Sequence, residues 1–321
     1  MSLPSVHVII LNWNGLADTL GCLESFREQD YPNLQFCVVD NGSEPGEADA
    51  IEKQFPEVEI LRQGRNLGFC GGNNVGIRRA LEKGADYVLV LNNDTIATTS
   101  LVSTLVSHAE KLPFLGALSP VILNYPQQDL IWFAGSEWET ATAGFRHRLS
   151  GRPRNELTAR EPFPTAYACG CCLLISTKVL RKVGLMDEKY FAYYDEADWC
   201  SRMAIFGLNC FVVPDATLYH KVSRSTPNLI STYLITRNRF FWMRRYLSTS
   251  NRIRSYPYLL RELLSNLANA CGLDLSGRHF SKIHSKIIVR AWFDSIIRKT
   301  GKWPPSIDAL VAQTKQDLRD S

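Results

Sequence analysis

Residues Asp86–Thr95 read DYVLVLNNDT, an apolar strand that runs directly into Asn92, Asn93 and Asp94. A carboxylate delivered by a strand end suits a divalent cation carrying phosphate, because Mg²⁺ and Mn²⁺ are held by one or two carboxylates plus phosphate oxygens and water. Asn-Asn-Asp-Thr is also ordinary turn and helix-cap chemistry, so Asp94 alone does not define a site. A second cluster, Asp195-Glu196-Ala197-Asp198, follows the aromatic run Tyr190-Phe191-Ala192-Tyr193-Tyr194 at the start of a predicted helix. Carboxylates there can take a proton from a hydroxyl or serve as an acidic first turn that complements the helix dipole. His220 closes a late strand, where an imidazole is either structural or a ligand better suited to Mn²⁺ than to Mg²⁺.

The elements that position these groups alternate over the first hundred residues. Strands are expected at 6–13, 34–43, 58–63 and 87–94, with helices at 16–29, at 47–55 and after Gly72. The strands are continuous apolar runs, the mark of a parallel sheet covered by helices on both faces. Ligands bind beyond the carboxyl ends of such strands. The polar residues collect there, as Asn12-Trp13-Asn14, Asp40-Asn41-Gly42-Ser43 and Asn92-Asn93-Asp94. Gly68, Gly71 and Gly72 either clear space for backbone close to a ligand or form a turn before a helix. In a dinucleotide-binding unit the glycines would follow the first strand, whereas here they follow the third.

Further along, a helix is expected at 101–112, with short strands near 115–123 and 130–138. A basic, proline-punctuated loop from Arg146 to Pro164 reads as mobile. A strand at 169–176, helices at 177–183 and 196–206 and a strand at 209–213 follow. Cys169-Gly170-Cys171-Cys172 lacks the separated second pair that zinc requires and reads as small buried strand residues. Asp198 and Arg202 stand at i and i+4, as a helix-surface ion pair would. Trp132 and Trp138 are candidates for a sugar-stacking wall or for core packing. From about 225 to the end the pattern is helical. Residues 282–298 carry Lys282, Lys286, Arg290, Asp294 and Arg298 along one face, and Ile283, Ile287, Ile288, Trp292 and Ile296 off it.

Bulk composition narrows the classes. The 321 residues are 45% hydrophobic, ample for a large core. Nine scattered cysteines do not form a secreted disulfide framework, so reduced thiols and a cytoplasmic setting are expected. No leader-like segment and no run of about 18 apolar residues is found, which implies a soluble or peripheral protein. The net charge of +4 is uneven: residues 237–321 hold 16 Lys and Arg against 6 Asp and Glu, net +10, and residues 1–236 hold 20 against 26, net −6. That basic end suits an anionic membrane surface. Nucleic acid is not expected, since the charge has no companion motif.

Taken together, VIILNWNG (8–15), VVDNGS (38–43), NLGFCGGNNVGI (66–77), LVLNNDT (89–95), GCCLLIS (170–176), VGLMDEKYFAYYDEADWCSR (183–202), YHK (219–221) and TRNRFF (236–241) resemble the family 2 glycosyltransferases, most of all their rhamnosyltransferase-like branch. The resemblance covers roughly residues 5–245. It implies a GT-A fold, an α/β architecture with a mostly parallel central sheet and a helical C-terminal extension. It implies a nucleotide diphosphate sugar donor linked to dTDP, UDP or GDP, a Mg²⁺ or Mn²⁺ cofactor, and inversion at the anomeric carbon. Residues 1–225 would form the glycosyltransferase domain, with a donor half to about 100 and an acceptor half beyond it, and 226–321 the basic helical region. By position Asn12, Asp40 and Asn41 would meet the nucleotide, Gly68 and Asn73 would line the donor pocket, and Asn92 and Asn93 would border it. Asp94 would bind the metal, with His220 completing its coordination. Relatives carry Glu then Asp where this chain has Asp195 then Glu196, so position favours Glu196 as the base and Asp195 remains a rival. The implied acceptor is a saccharide or a polyprenyl-linked glycolipid in surface-glycan synthesis. A non-catalytic sugar-nucleotide or glycan binder of the same fold is the alternative.

Overall fold

Branched apolar residues run through the four N-terminal strands, and Val8, Ile9, Ile10, Val38, Val88, Leu89 and Val90 are wholly buried, while the third of these strands is only half-buried. In the computed structural model, which describes residues 3–221, 229–273 and 282–317 (backbone only for 315–317), they become β1 (Val6–Asn12), β2 (Leu34–Asp40), β3 (Glu59–Arg62) and β4 (Tyr87–Asn92). Between them lie α1 (Leu16–Ser25), α2 (Glu47–Gln54) and α3 (Gly68–Glu82). The parts of the expected helical region at 225–228, 274–281 and 318–321 lie outside the described residues.

The chain continues through β5 (Thr95–Ala97), α4 (Leu101–Ala109), β6 (Leu115–Asn124), β7 (Ile131–Phe133), β8 (Ser136–Glu139), β9 (Gly144–His147), β10 (Phe163–Thr165), β11 (Cys172–Ser176), α5 (Thr177–Val183), α6 (Asp195–Ile205) and β12 (Asn209–His220). The main sheet runs β10-β12-β6-β11-β4-β1-β2-β3, with β5 on β12 and β7 on β6. β3, β2, β1 and β4 are mutually parallel, as are β6 and β12. β11 runs antiparallel between β4 and β6. The sheet is therefore mixed: the four N-terminal strands pair in parallel, as their continuous apolar runs imply, and the antiparallel β11 enters between β4 and β6.

The segment from Arg146 to Pro164 is anchored. Ile131 and Arg152 are joined by hydrogen bond, Gly151 donates to Ile131, and Arg154 donates to Asp129. Its end forms β10 at the sheet edge. The expectation of a mobile loop fails because backbone pairing compensates for a composition rich in charge and proline.

Two compact units result. The first comprises 1–137, 146–187 and 196–223, and the second 138–145, 188–195 and 224–321. Two short segments that precede residue 225 thus join the second unit. That unit is built on α7 (Leu229–Tyr246), α8 (Thr249–Ala270), α9 (Lys282–Ile296) and α10 (Pro305–Asp317). Its core gathers Phe191, Tyr233, Leu234, Ile283, Ile287 and Ile307.

The basic face expected on 282–298 is partly folded inward. Asp294 is fully buried and accepts from Tyr233 Oη at 2.7 Å and Arg290 Nε at 3.0 Å, with Lys299 Nζ at 3.2 Å. Burial alone would raise its pKa, but these donors hold the carboxyl below its ordinary value. Ile296, expected off the polar face, is 65% exposed.

Candidate active site

In the first unit the register of β1 against its neighbours brings three strand ends side by side. Asn12 pairs with Asp40 and Leu11 pairs with Asn92. β2 and β4 flank β1, so their ends stand roughly 10 Å apart, two strand spacings. Asn12 is fully buried. Its Nδ2 donates to Asp40 Oδ1 at 3.4 Å, Ser43 Oγ at 3.0 Å and Glu47 Oε2 at 3.0 Å, and its Oδ1 accepts from Thr19 Oγ1 at 2.7 Å. It braces the loops that carry Asp40. Asn41 does the same one residue on: Nδ2 donates to Asn66 Oδ1 and Gly68 O, both at 3.2 Å, and Oδ1 accepts from Leu67 N at 2.9 Å.

That bond network fixes the start of α3, where Gly68 adopts φ +78°. Gly72 serves another purpose than the clearance for a ligand considered above. A Cβ there would stand 2.3 Å from Leu11 Cδ1, and one on Gly76 2.4 Å from Ile9 Cγ2, so these glycines let α3 lie against the sheet. Asn73 is buried; its Nδ2 donates to Phe69 O at 2.9 Å, and its Oδ1 has no partner among the described residues. Asn93 Nδ2 donates to Thr19 Oγ1 at 3.0 Å and Gly15 O at 3.3 Å.

The antiparallel pairing of β5 with β12 sets His220 opposite Thr95 and therefore beside Asp94. His220 Nε2 lies 3.1 Å from Asp94 Oδ1, and Lys221 N donates to Asp94 O at 2.8 Å. The His220 side chain is 10% exposed and that of Asp94 28%, so the pair is recessed yet open on the carboxylate side. Trp132 meets the imidazole edge-to-face at 4.5 Å between centroids and fixes its plane. Trp138 belongs to the second unit, packed on Phe145 and Trp242 at 5.3 and 4.8 Å. Trp132 thus sits in an aromatic cluster of the first unit, and Trp138 in one of the second.

The pair fits a divalent cation. Adjacent ligands of an octahedral ion bound at about 2.1 Å stand about 3 Å apart, and Asp94 Oδ1 and His220 Nε2 are 3.1 Å apart. Among the described residues no group of three or more His, Cys, Asp and Glu could hold an ion. A cation held by this pair would take its remaining ligands from phosphate and water.

Cys171 links this region to the acidic cluster. Asn92 N donates to Cys171 O at 2.9 Å. One residue earlier, a Cβ on Gly170 would lie 3.4 Å from Phe69 Cε1 and 3.9 Å from Glu196 Cβ. The end of β4, the first turn of α3 and the half-buried Glu196 thus all border the 170–171 peptide within the first unit. Cys169, Cys171 and Cys172 are buried, and burial pushes the thiols of Cys171 and Cys172 well up, so they pack as small apolar groups. Asp198 is fully buried and pairs with Arg202 Nε at 2.9 Å; Arg202 also donates to Val183 O at 2.8 Å and Leu185 O at 2.6 Å. The pair is a buried brace rather than a surface pair.

Asp195, 2% exposed, is the last residue of the second unit's 188–195 segment. Phe191, Tyr193 and Tyr194 there take left-handed φ of 68°, 66° and 66°, each at a cost of about 1–3 kcal/mol. Asn238 offsets this strain: its Nδ2 donates to Tyr190 O, Ala192 O and Tyr193 O at 3.0, 2.8 and 2.9 Å, while its Oδ1 accepts from Arg237 Nε at 3.0 Å. Asn238 stands in TRNRFF (236–241), one of the motifs of the family resemblance, but its clamping role was not foreseen; an Asn between arginines in a helix is otherwise unfavourable. Asn238→Ala is expected to lower stability by about 2–3 kcal/mol and to speed hydrogen exchange across 190–194, read by mass spectrometry.

A mixed sheet whose parallel strands β1, β2 and β4 end side by side in polar residues has the GT-A architecture. Solved structures share the architecture. Mannosyltransferase PcManGT from Pyrobaculum calidifontis, in complex with GDP-Man and Mn²⁺, superposes with TM-score 0.59 at 16% identity over 93% of this chain and 89% of that one. GalNAc-T7 with UDP, GalNAc and Mn²⁺ gives 0.61 at 14% identity over 99% of this chain, which spans 58% of that longer one. The profile of glycosyl transferase family 2 matches residues 7–184, and the chain belongs to that family. It is similar to the N-acetylglucosaminyl-diphospho-decaprenol L-rhamnosyltransferase of Mycobacterium tuberculosis, 28% identical over 207 residues, 59% of this chain and 67% of that one. It is 24% identical over 290 residues to dTDP-rhamnosyl transferase RfbF of Shigella flexneri, covering 89% and 88% of the two chains.

Proposed function

We propose that this glycosyltransferase is a metal-dependent, inverting enzyme that moves a sugar, rhamnose first among candidates, from a nucleotide diphosphate to a hydroxyl of a saccharide or polyprenyl-linked glycolipid. The observation that carries this reading is the Asp94–His220 pair, 3.1 Å apart, at the end of β4. Asp40, Asn41 and the braced Asn12 would receive the nucleoside, Gly68, Asn73, Asn92 and Asn93 would border the sugar diphosphate, and Asp94 and His220 would hold Mg²⁺ or Mn²⁺. When bound, the cation acts as a Lewis acid that stabilises negative charge growing on the departing diphosphate. Glu196 would accept the proton of the attacking hydroxyl, on the sugar face opposite the leaving group. The acceptor class follows the name of the Mycobacterium tuberculosis relative, and the basic stretch from Arg237 to the C-terminus suits work at the cytoplasmic face of a membrane. Among the described residues no helix is long and apolar enough to cross a membrane.

The test is calorimetric titration of the full chain with dTDP-, UDP- and GDP-sugars, with and without Mn²⁺. Binding of one of them, strengthened by the ion, supports the proposal; no binding and no hydrolysis with any of them, with Mg²⁺ or Mn²⁺, overturns it. In the same assay His220→Ala is expected to weaken Mn²⁺ affinity about 10–100-fold, and unchanged affinity removes His220 from the ion.

A further inference from the structure

Helix α8 is amphipathic with its faces reversed. Toward the second unit it turns Ser255, Leu259, Asn266 and Asn269, each at most 9% exposed and mostly polar. Glu262 also faces inward: it accepts from Arg239 Nη1 at 3.2 Å and Trp292 Nε1 at 3.1 Å, and Asn269 donates to Ser285 Oγ at 2.8 Å. Outward it presents Ile253, Tyr256, Leu260, Leu264 and Leu267, between 40% and 59% exposed. Their spacing of three and four residues makes one continuous ridge, about 21 Å long at 1.5 Å per residue. A ridge of that kind on a soluble surface marks an interaction site.

The charges beside the ridge identify what covers it. Arg254 and Arg261 are exposed along one flank and Arg252 lies on the other. The helix's only acidic residue, Glu262, is turned inward. Two copies apposed through this face would set arginine against arginine, whereas anionic lipid headgroups complement both the apolar ridge and its cationic margins. A helix of this composition lies in a membrane interface and does not span it.

We infer that the outward face of α8 seats the protein on an anionic bilayer, with Ile253, Tyr256, Leu260, Leu264 and Leu267 in the headgroup–acyl boundary and Arg252, Arg254 and Arg261 on the headgroups. The inference rests on the proposed lipid-linked acceptor and names the surface from which that acceptor is approached.

The experiment is co-sedimentation of the full chain with vesicles of phosphatidylcholine alone or mixed with phosphatidylglycerol, at low and high salt, alongside analytical ultracentrifugation and nucleotide-sugar binding on the same preparations. Wild-type protein is expected to prefer the anionic vesicles and to lose that preference at high salt. Leu260→Glu with Leu264→Glu is expected to cut partitioning on the order of tenfold, and Arg254→Glu with Arg261→Glu to cut it by a similar factor on anionic vesicles only. The inference is overturned if wild-type protein ignores both vesicles or if the leucine variant binds as wild type does. It is equally overturned if a wild-type dimer becomes monomeric in that variant without any vesicle binding, since the occupant is then a second copy. Nucleotide-sugar binding separates the two readings: vesicle binding without it in every preparation sinks the transferase proposal and leaves the docking face standing.

Discussion

Asp94→Asn is expected to reduce sugar transfer by roughly 10²–10³-fold and to abolish the response of donor binding to added Mn²⁺. The strand end that presents this side chain offers no second charge, because its neighbours are Asn92 and Asn93. His220 then faces a neutral amide, and an oxygen donor without formal charge holds a hard divalent ion far more weakly than a carboxylate does. The substitution keeps shape and size, and the backbone contact from Lys221 N to residue 94 O, 2.8 Å, does not involve the side chain. Folding should therefore survive, and the loss should appear in turnover against Mn²⁺ concentration. A variant whose rate and metal dependence match the wild type removes Asp94 from the ion site.

Glu196→Gln carries the second large effect, an expected loss of about 10²–10⁴-fold in kcat with nucleotide-sugar affinity unchanged. The two carboxylates at the start of α6 are not equivalent. Asp195 is 2% exposed and closes a segment clamped by Asn238, so its neighbourhood is committed to holding backbone. Glu196 is half-buried in the first unit, and its Cβ stands beside Gly170, the neighbour of Cys171, whose carbonyl accepts from Asn92 N. Asp195→Asn is accordingly expected to cost less than Glu196→Gln. Steady-state kinetics on both variants with one donor decides the assignment: a larger loss in Asp195→Asn makes Asp195 the base.

Much of the first unit was legible beforehand. The four N-terminal strands, the polar residues at their ends and the ordered motifs that resemble family 2 all depend on local pattern, and local pattern survives folding. Asp198 with Arg202 was readable as an i,i+4 pair, but its burial was not, since nothing in the spacing tells which flank of a helix is covered. The Arg146–Pro164 segment misled because its composition is that of a loop, while its hydrogen bonds go to residues some 20 positions earlier. In the last third, periodicity singled out 282–298 as the basic helix. Periodicity did not single out α8, which leaves an apolar ridge uncovered and turns polar residues, bonded within the second unit, inward.

The amino-acid order by itself therefore determined the four N-terminal strands, the polar groups at their ends and the family resemblance, because apolar runs, turn residues and motif order are properties of neighbours along the chain. The tertiary structure supplied the contacts themselves, including the Asp94–His220 approach that the family resemblance alone had suggested. The β5–β12 register sets His220, 126 positions later, beside Asp94, β11 enters the sheet antiparallel, and α8 turns its leucines outward. Periodicity encodes how deeply a face is buried but not what it is buried against, and that partner is fixed only when distant segments pack.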